Sequence, residues 1–311
     1  MDTSTQKFVD PHLTIDGSQR ASVHLKKLET LWLNTGTLCN LTCANCYIES
    51  SPSNDALVYL THDEALTFYD EIAKDQLGTE QIGITGGEPF MNPDIIKIME
   101  SALVRGFECL VLTNAMRPMM KHAEALLDLN QRFGSKLKLR VSVDHFNQRM
   151  HEEERGPKSW APMLLGLQWL SNNGFAIDVA GRTRWGEDEA TLRAGFQALF
   201  SSHQVEIDAY NPQALVLFPE MDENAPVPEI TTECWDLLGV NPDDMMCASS
   251  RMVVKRKGDE KPSVMACTLL AYDQQFNLGS TLKEASGEVA LNHPHCAKFC
   301  VLGGGSCSVK E

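Results

Sequence analysis

Between Leu28 and Pro219, short apolar runs alternate with longer segments of helical period, and no other feature restricts the fold of this chain as strongly. The runs are LETLWLNT, QIGIT, ECLVLTN, LKLRVSVD, AIDVAG and ALVLFP. The segments between them include THDEALTFYDEIAKDQ, NPDIIKIMESALVRG, MMKHAEALLDLNQRFG, SWAPMLLGLQWLSNNG and GEDEATLRAGFQALFSS. Strands alternating with helices at this spacing predict βαβ units and a parallel sheet, hence an α/β fold. Six units in about 190 residues are too few for a closed eight-unit barrel of about 250, so the expectation is an open, partial (β/α)6 TIM-like barrel.

Outside that core the texture changes. Residues 1–27 are polar and mixed and read as an irregular arm or a short hairpin, with no chemistry assigned. After Pro219 the stretch MDENAPVPEITTE is acidic and Pro-rich, as a linker is. A short helix, two strands (RMVVKRK and PSVMACTLL) and a Cys-rich end follow. The division expected is an arm over 1–27, a barrel over 28–225 and an extension over 226–311. The extension is too small for its own core and calls for a staple such as a metal cluster. Thr61 and Ser159 each stand before a helical stripe as N-caps, Thr61 with Asp63 and Glu64 in the first turn.

A formal charge of -15 and a pI near 5.0 argue against a broad phosphate-binding surface, so nucleic acid is not an expected partner. The chain has no apolar run of membrane-spanning length and no secretion signal at its start, so the expectation is a cytoplasmic protein without a membrane partner. In that compartment ten cysteines are not a disulfide framework.

Cysteine positions say more than their number. Cys39, Cys43 and Cys46 crowd into LCNLTCANCY directly after the first strand, where parallel barrels place their chemistry. Cys247, Cys267, Cys296, Cys300 and Cys307 lie in the last quarter; Cys109 and Cys234 stand alone and read as small buried hydrophobes. Three thiolates this close can hold a soft cation or an iron–sulfur cluster. Zinc or a plain ferredoxin cluster would call for a fourth ligand nearby, and residues 47–50 offer none, which leaves one corner open. At the end of the next strand, QIGIT runs into Gly86-Gly87-Glu88-Pro89-Phe90. A glycine-rich β-to-α turn accounts for the glycines and the proline. Glycines also allow close approach of backbone to a ligand, and the neighbouring carboxylate can accept hydrogen bonds from an amine.

The CxxxCxxC loop followed by GGEP resembles the signature of the radical S-adenosylmethionine (radical SAM) superfamily. The resemblance implies a 4Fe-4S cluster held by Cys39, Cys43 and Cys46, with the S-adenosyl-L-methionine amine and carboxylate on its fourth iron and the amine near Gly86, Gly87 and Glu88. Further similarity covers most of the barrel. LTNAM implies Asn114 facing the pocket, VSVDHFNQRMHEEERGPKSW implies a cofactor contact at Ser142 and a loop through His151, Arg155 and Gly156, and AIDVAGRT offers Arg182 for the carboxylate. Glu152 to Glu154 read as a solvated acidic loop. One departure stands out: the family's aromatic residue before the third Cys is Asn45 here, with Tyr47 one step beyond, and an amide can still bond an adenine edge.

With a cluster at the front, the tail resembles the SPASM or twitch extensions that hold auxiliary 4Fe-4S clusters. Five thiols are fewer than the full SPASM pattern needs, so one auxiliary cluster is expected. Its leading ligands are Cys247, Cys267, Cys296 and Cys300, with Cys307 able to replace one. A zinc ribbon with His293 and His295 is the alternative. Gly303 to Gly305 would allow a tight wrap around the cluster. The function implied is an enzyme that cleaves S-adenosyl-L-methionine reductively, takes a hydrogen atom from a small-molecule or peptide substrate, and draws electrons from a flavodoxin or ferredoxin-type donor. The peptide version would be a maturase forming a crosslink. A rival of another class is an iron–sulfur electron carrier or zinc-binding adaptor, which leaves Gly86 to Glu88 without a task.

Overall fold

The computed structural model describes residues 6–220 and 226–303. The six expected strands are all present: β2 (Thr30–Asn34), β3 (Gln81–Thr85), β4 (Glu108–Thr113), β5 (Leu137–Asp144), β6 (Ala176–Arg182) and β7 (Leu215–Phe218). The arm contributes β1 (Ser22–Val23), and the tail contributes β8 (Ser250–Val254), β9 (Ser263–Met265) and β10 (Val289–Ala290). Among the described residues the main sheet has the order β7-β6-β5-β4-β3-β2-β8-β9, and β1 pairs with β10 in a small antiparallel ribbon. Strands β2 to β7 are parallel to their neighbours, as the helical crossovers require. The crossovers are α1 (His62–Asp75), α2 (Ile95–Val104), α3 and α4 (Arg117–Met120 and Ala123–Phe133), α5 and α6 (Gln148–Arg155 and Trp160–Asn172) and α7 (Glu189–Ser202).

Side-chain alternation along the strands builds two cores. Leu31 and Leu33 of β2 and Cys109 and Val111 of β4 point outward and pack beneath the helices with Phe68, Ile98 and Leu167. Trp32 and Leu110, between them, point inward to a second core shared with Met252, Met265 and Phe299 of the tail. Gly83, paired with Trp32 across the ladder, gives the indole its room: a Cβ there would lie 2.4 Å from the ring.

The tail is therefore part of the barrel. Strand β8 extends the main sheet by pairing parallel with β2, and Val58 and Lys257 donate main-chain bonds of 2.8 and 2.9 Å to Lys255 and Ala56. Lys255 pairs with Glu64, and the Leu282 amide reaches the Glu71 carboxylate at 2.7 Å. The arm is fastened too, by a buried ion pair from Arg20 to Glu229 at 2.5 Å.

Helix starts and breaks differ in places from the expectation. Thr61 forms a full capping box with Glu64. Ser159 does not cap; its hydroxyl donates to the Gly156 carbonyl at 2.7 Å. The segment MMKHAEALLDLNQRFG is split, its first residues closing α3 and the rest forming α4. The expected loop through His151, Arg155 and Gly156 is α5, capped by Asn147 and ended at Gly156 with φ 90°. Residues 221–225 of the expected linker, together with Cys307, Gly304 and Gly305, lie outside the described residues. Among the described residues no helix is long and apolar enough to cross a membrane.

Candidate active site

The C-terminal ends of β2 to β7 meet at one end of the barrel, and the loop that leaves β2 folds back over them. Its anchor is the Gly86-Gly87-Glu88 turn. Gly87 donates to the Gly36 carbonyl at 2.8 Å and Glu88 donates to that of Leu38 at 3.1 Å. A Cβ on Gly87 would meet the Leu38 carbonyl oxygen at 2.2 Å, and one on Gly86, whose φ is +139°, would meet that of Gly36 at 2.6 Å. Both glycines line the cavity beside the thiols. Close backbone of the loop that leads to the cysteines, residues 35–38, demands glycine at both positions.

Glu88 is held by the chain as well. Its side chain is 2% exposed and stands behind the cavity wall. One oxygen accepts from the Thr113 hydroxyl at 2.9 Å and the Phe90 amide at 3.2 Å; the other accepts from the Asn114 amide at 2.9 Å. The carboxyl thus ties the end of β3 to that of β4. Burial pushes its pKa up to about 7, against the pull of these donors.

Cys39, Cys43 and Cys46 line one cavity of about 110 Å³ with Thr85, Gly86, Gly87, Asn114, Ser142, Arg155 and Arg182. Burial pushes the Cys39 thiol up to about 12 and raises that of Cys43; the Arg155 cation opposes both shifts. Asn114 donates through its amide to the Asn40 side chain at 2.9 Å, which joins β4 to the cysteine loop. Ser142 and Tyr47 also border a second cavity of about 140 Å³, whose far walls are Phe218, Leu269 and Phe299. Phe218 of β7 and Phe299 of the tail stack with centroids 6.2 Å apart.

A charged lattice holds the loop from the other side. Asp144, at the end of β5 with φ +56° beside a register shift, pairs with Arg155 and accepts from the Arg182 Nε at 3.2 Å. Burial alone would raise the Asp144 pKa, but the two guanidinium groups hold it below the usual carboxylate value. Glu154 is buried, in contrast to the solvated loop expected for it. Its oxygens accept from the Asn45 amide at 3.0 Å, the Asn45 side chain at 2.8 Å and Arg184 at 2.9 Å, while its carbonyl accepts from Ala44. The Asn45 side-chain donor is thus spent on Glu154. Arg182 also donates to the Asn45 carbonyl at 3.3 Å.

In the tail, Cys247, Cys267, Cys296 and Cys300 come together: the charge field at Cys296 is set by the other three thiols, with burial as the larger cause of its raised pKa. Cys296 and Cys300 sit on one π-turn, Cys296–Val301, a widened turn common at functional sites. Among the described residues no group of His, Cys, Asp and Glu closes tightly enough for a single metal ion. The donor set at each place is soft thiolate, and at the front it surrounds a cavity, which suits a polynuclear cluster. Cys109, fully buried in the outer core, and Cys234 take no part. An opening of about 350 Å³ is bounded by Cys46 and Tyr47 of the front loop and by residues 269–273, His293 and His295 of the tail, which follow Cys267 and precede Cys296 in the sequence.

A partial parallel barrel with a CxxxCxxC loop docked on a GGEP turn defines the class. Residues 33–183 match the Radical SAM superfamily, and the chain carries a radical SAM domain. It is similar to the antilisterial bacteriocin subtilosin biosynthesis protein AlbA of Bacillus subtilis, 32% identical over 143 residues, which are 46% of this chain and 30% of that protein. It is similar also to the AdoMet-dependent heme synthase of Methanosarcina barkeri, 31% identical over 142 residues, 45% of this chain and 38% of that protein. The matches thus span well under half the length of these two relatives. In fold the chain resembles SuiB of Streptococcus suis bound to its precursor peptide SuiA. The TM-score is 0.59 at 10% identity, covering 82% of this chain and 63% of that one.

Proposed function

We propose that this protein is an enzyme that cleaves S-adenosyl-L-methionine reductively and uses the radical to modify a peptide, with an auxiliary cluster in the tail. The observation that carries the reading is that one opening is bounded by Cys46 and Tyr47 of the front loop and by the tail segments next in sequence to Cys267 and Cys296, two of the four tail thiols that come together. An electron carrier or zinc adaptor has no use for an opening between the front loop and the tail, or for a largely apolar cavity beside the front thiols. AlbA is named for bacteriocin biosynthesis and SuiB is described with a precursor peptide, which supports a peptide substrate. The similarity to a heme synthase supports a small molecule as the second reading.

Cys39, Cys43 and Cys46 would hold the front 4Fe-4S cluster, and Cys247, Cys267, Cys296 and Cys300 the auxiliary one. When bound, the front cluster and S-adenosyl-L-methionine supply a one-electron cleavage of the sulfonium that releases a 5′-deoxyadenosyl radical. The chain's part is to place and to shield. Thr85, Gly86 and Gly87 present a tight main-chain edge beside the thiols, and Ser142 and Arg182 offer polar groups on the wall shared by the two cavities. Leu112, Phe218, Leu269 and Phe299 make the second cavity largely apolar, which keeps water from a reactive intermediate. The electrons would come from a flavodoxin or ferredoxin-type donor in the cytoplasm.

The test is iron and sulfide content with electron paramagnetic resonance on anaerobically reconstituted protein, beside a Cys39/Cys43/Cys46→Ala variant, with deoxyadenosine measured under dithionite. About eight irons per chain should fall to about four in the variant, with deoxyadenosine lost. Fully loaded protein that forms no deoxyadenosine would overturn the reading. Peptide and small-molecule candidates are then separated by which one raises deoxyadenosine formation.

A further inference from the structure

Arg251 occupies an unusual place for a guanidinium. It lies on β8, four residues beyond Cys247, and is 1% exposed. Its four hydrogen bonds all go to main-chain carbonyls: Ala285 at 2.8 Å, Cys247 at 2.6 Å, Ser250 at 2.8 Å and Gly287 at 3.1 Å. Asp75 borders the same surface recess but does not pair with it, and among the described residues no carboxylate does. The other two buried arginines among the described residues have carboxylate partners, Arg20 in Glu229 and Arg140 in Asp178, and the partly buried Arg155 has Asp144.

A buried cation without a counter-charge loses its hydration uncompensated, and neutral carbonyl dipoles offset this only in part. Burial disfavours the Arg251 cation, and the groups that favour it once ionised are Cys247 and Cys267, two of the four tail thiols. With those thiols protonated, the cation is uncompensated. With them ionised and bound to iron, the site carries the negative charge that the guanidinium lacks.

We propose that Arg251 is the counter-cation of the tail site, a positioning residue whose buried charge favours the thiolate-bound cluster there and its reduced state. The inference rests on the reading of the tail as an auxiliary-cluster site. Reduction adds one electron, and so one negative charge, to a centre beside a fixed positive one in a medium of low dielectric. The fixed charge therefore stabilises the reduced form more than the oxidised form. Loss of the charge must lower the midpoint potential.

The experiment uses the full chain with Cys39, Cys43 and Cys46 replaced by Ala, so that only the tail can hold iron. It is loaded anaerobically with iron and sulfide and titrated with dithionite through redox mediators under electron paramagnetic resonance. At the midpoint potential of the Arg251 protein, Arg251→Met should shift the reduced-to-oxidised ratio about tenfold toward oxidised, which for one electron is 59 mV. Arg251→Lys, which keeps the charge, should remain within about threefold of the Arg251 protein. A purely structural tie for the carbonyls predicts that Met, which keeps no donor, and Lys, which cannot reproduce the fork, both impair iron loading, and that neither variant moves the potential in the direction of lost charge. An unchanged midpoint in a fully loaded Met variant overturns the proposal. Should the Met variant not fold, Arg251→Gln, which keeps two N–H donors, takes its place. If neither neutral variant folds even when loaded, the guanidinium is a carbonyl tie and the proposal is wrong. Absence of iron from the tail with Arg251 intact would instead defeat the auxiliary-cluster reading, so the two failures are distinguishable.

Discussion

Glu88 is the residue at which the site's chemistry and the fold's stability meet. All the chain donors it accepts come from the neighbouring strand end and its own turn, and two of them are main-chain amides. Glu88→Gln can satisfy only one of the two, because an NH2 group faces the other, so the variant should lose about 1–3 kcal/mol of stability in urea unfolding. The pH dependence follows from the raised pKa. The folded carboxyl, titrating near 7, binds a proton that the unfolded carboxyl, near its ordinary value of 4.5, has already released. Between these values the folded state holds more protons, so the contribution is full below about 4.5, declines as pH rises and is lost above about 7. That part of the slope should be missing in the Gln variant; an identical profile in both proteins would show that Glu88 does not titrate there. At this scale the sequence was legible in part. It marked Glu88, Asn114 and Arg182 as site residues, but it did not foresee the chain donors that Glu88 accepts from Thr113, Asn114 and Phe90. Asp144 and Glu154 drew no attention as site residues, since an acid that ends a strand or sits within EEER reads as solvated until the fold buries it against arginine.

Among elements, the turn that follows β3 is the one whose sequence is fixed by a neighbouring backbone. Gly87→Ala would place a methyl group 2.2 Å from the Leu38 carbonyl oxygen, with Thr37 O at 2.7 Å, and main chain held by two strand ends cannot yield. The cysteine loop or the turn must move. The expected result is a loss of about 1–3 kcal/mol or more in the metal-free protein, together with weakened iron uptake at the front site. Gly287→Ala is the control, since nothing lies within 4 Å and its φ of -68° suits alanine. Equal iron uptake by both variants would refute the docking role. The six strands and most helices were legible because apolar period records which face is buried. Helix α5 was not, because QRMHEEER carries no apolar stripe; its burial is won by His151 and by Glu154 on polar partners. The same reason hides the pairing of β8 with β2: strand character is local, whereas choice of neighbour is set by the tail's return across the inner core.

For the molecule as a whole, the decisive point is that the tail completes the sheet. A separately folded extension would keep its own core and meet the barrel through a small polar surface. Here Trp32 and Leu110 of the barrel lie in one core with Met252, Met265 and Phe299 of the tail, and β8 shares its hydrogen bonds with β2. Metal binding is folding free energy wherever the liganding state is the folded one. Clusters bound at either thiol group should therefore stabilise the entire chain. The thiols add a pH term of known sign: burial raises Cys39 to about 12 and Cys247 to about 11, so the metal-free sites are protonated near neutrality and loading must release protons. Anaerobic calorimetry of loaded and chelator-stripped protein should show one transition in each case. It should stand at higher temperature when loaded, with a gap that widens between pH 7 and 8.5. Two transitions in the stripped protein, with only the lower one responding to iron, would mean that barrel and tail fold apart. In that case the shared core of Trp32 and Met252 would contribute far less than its burial implies.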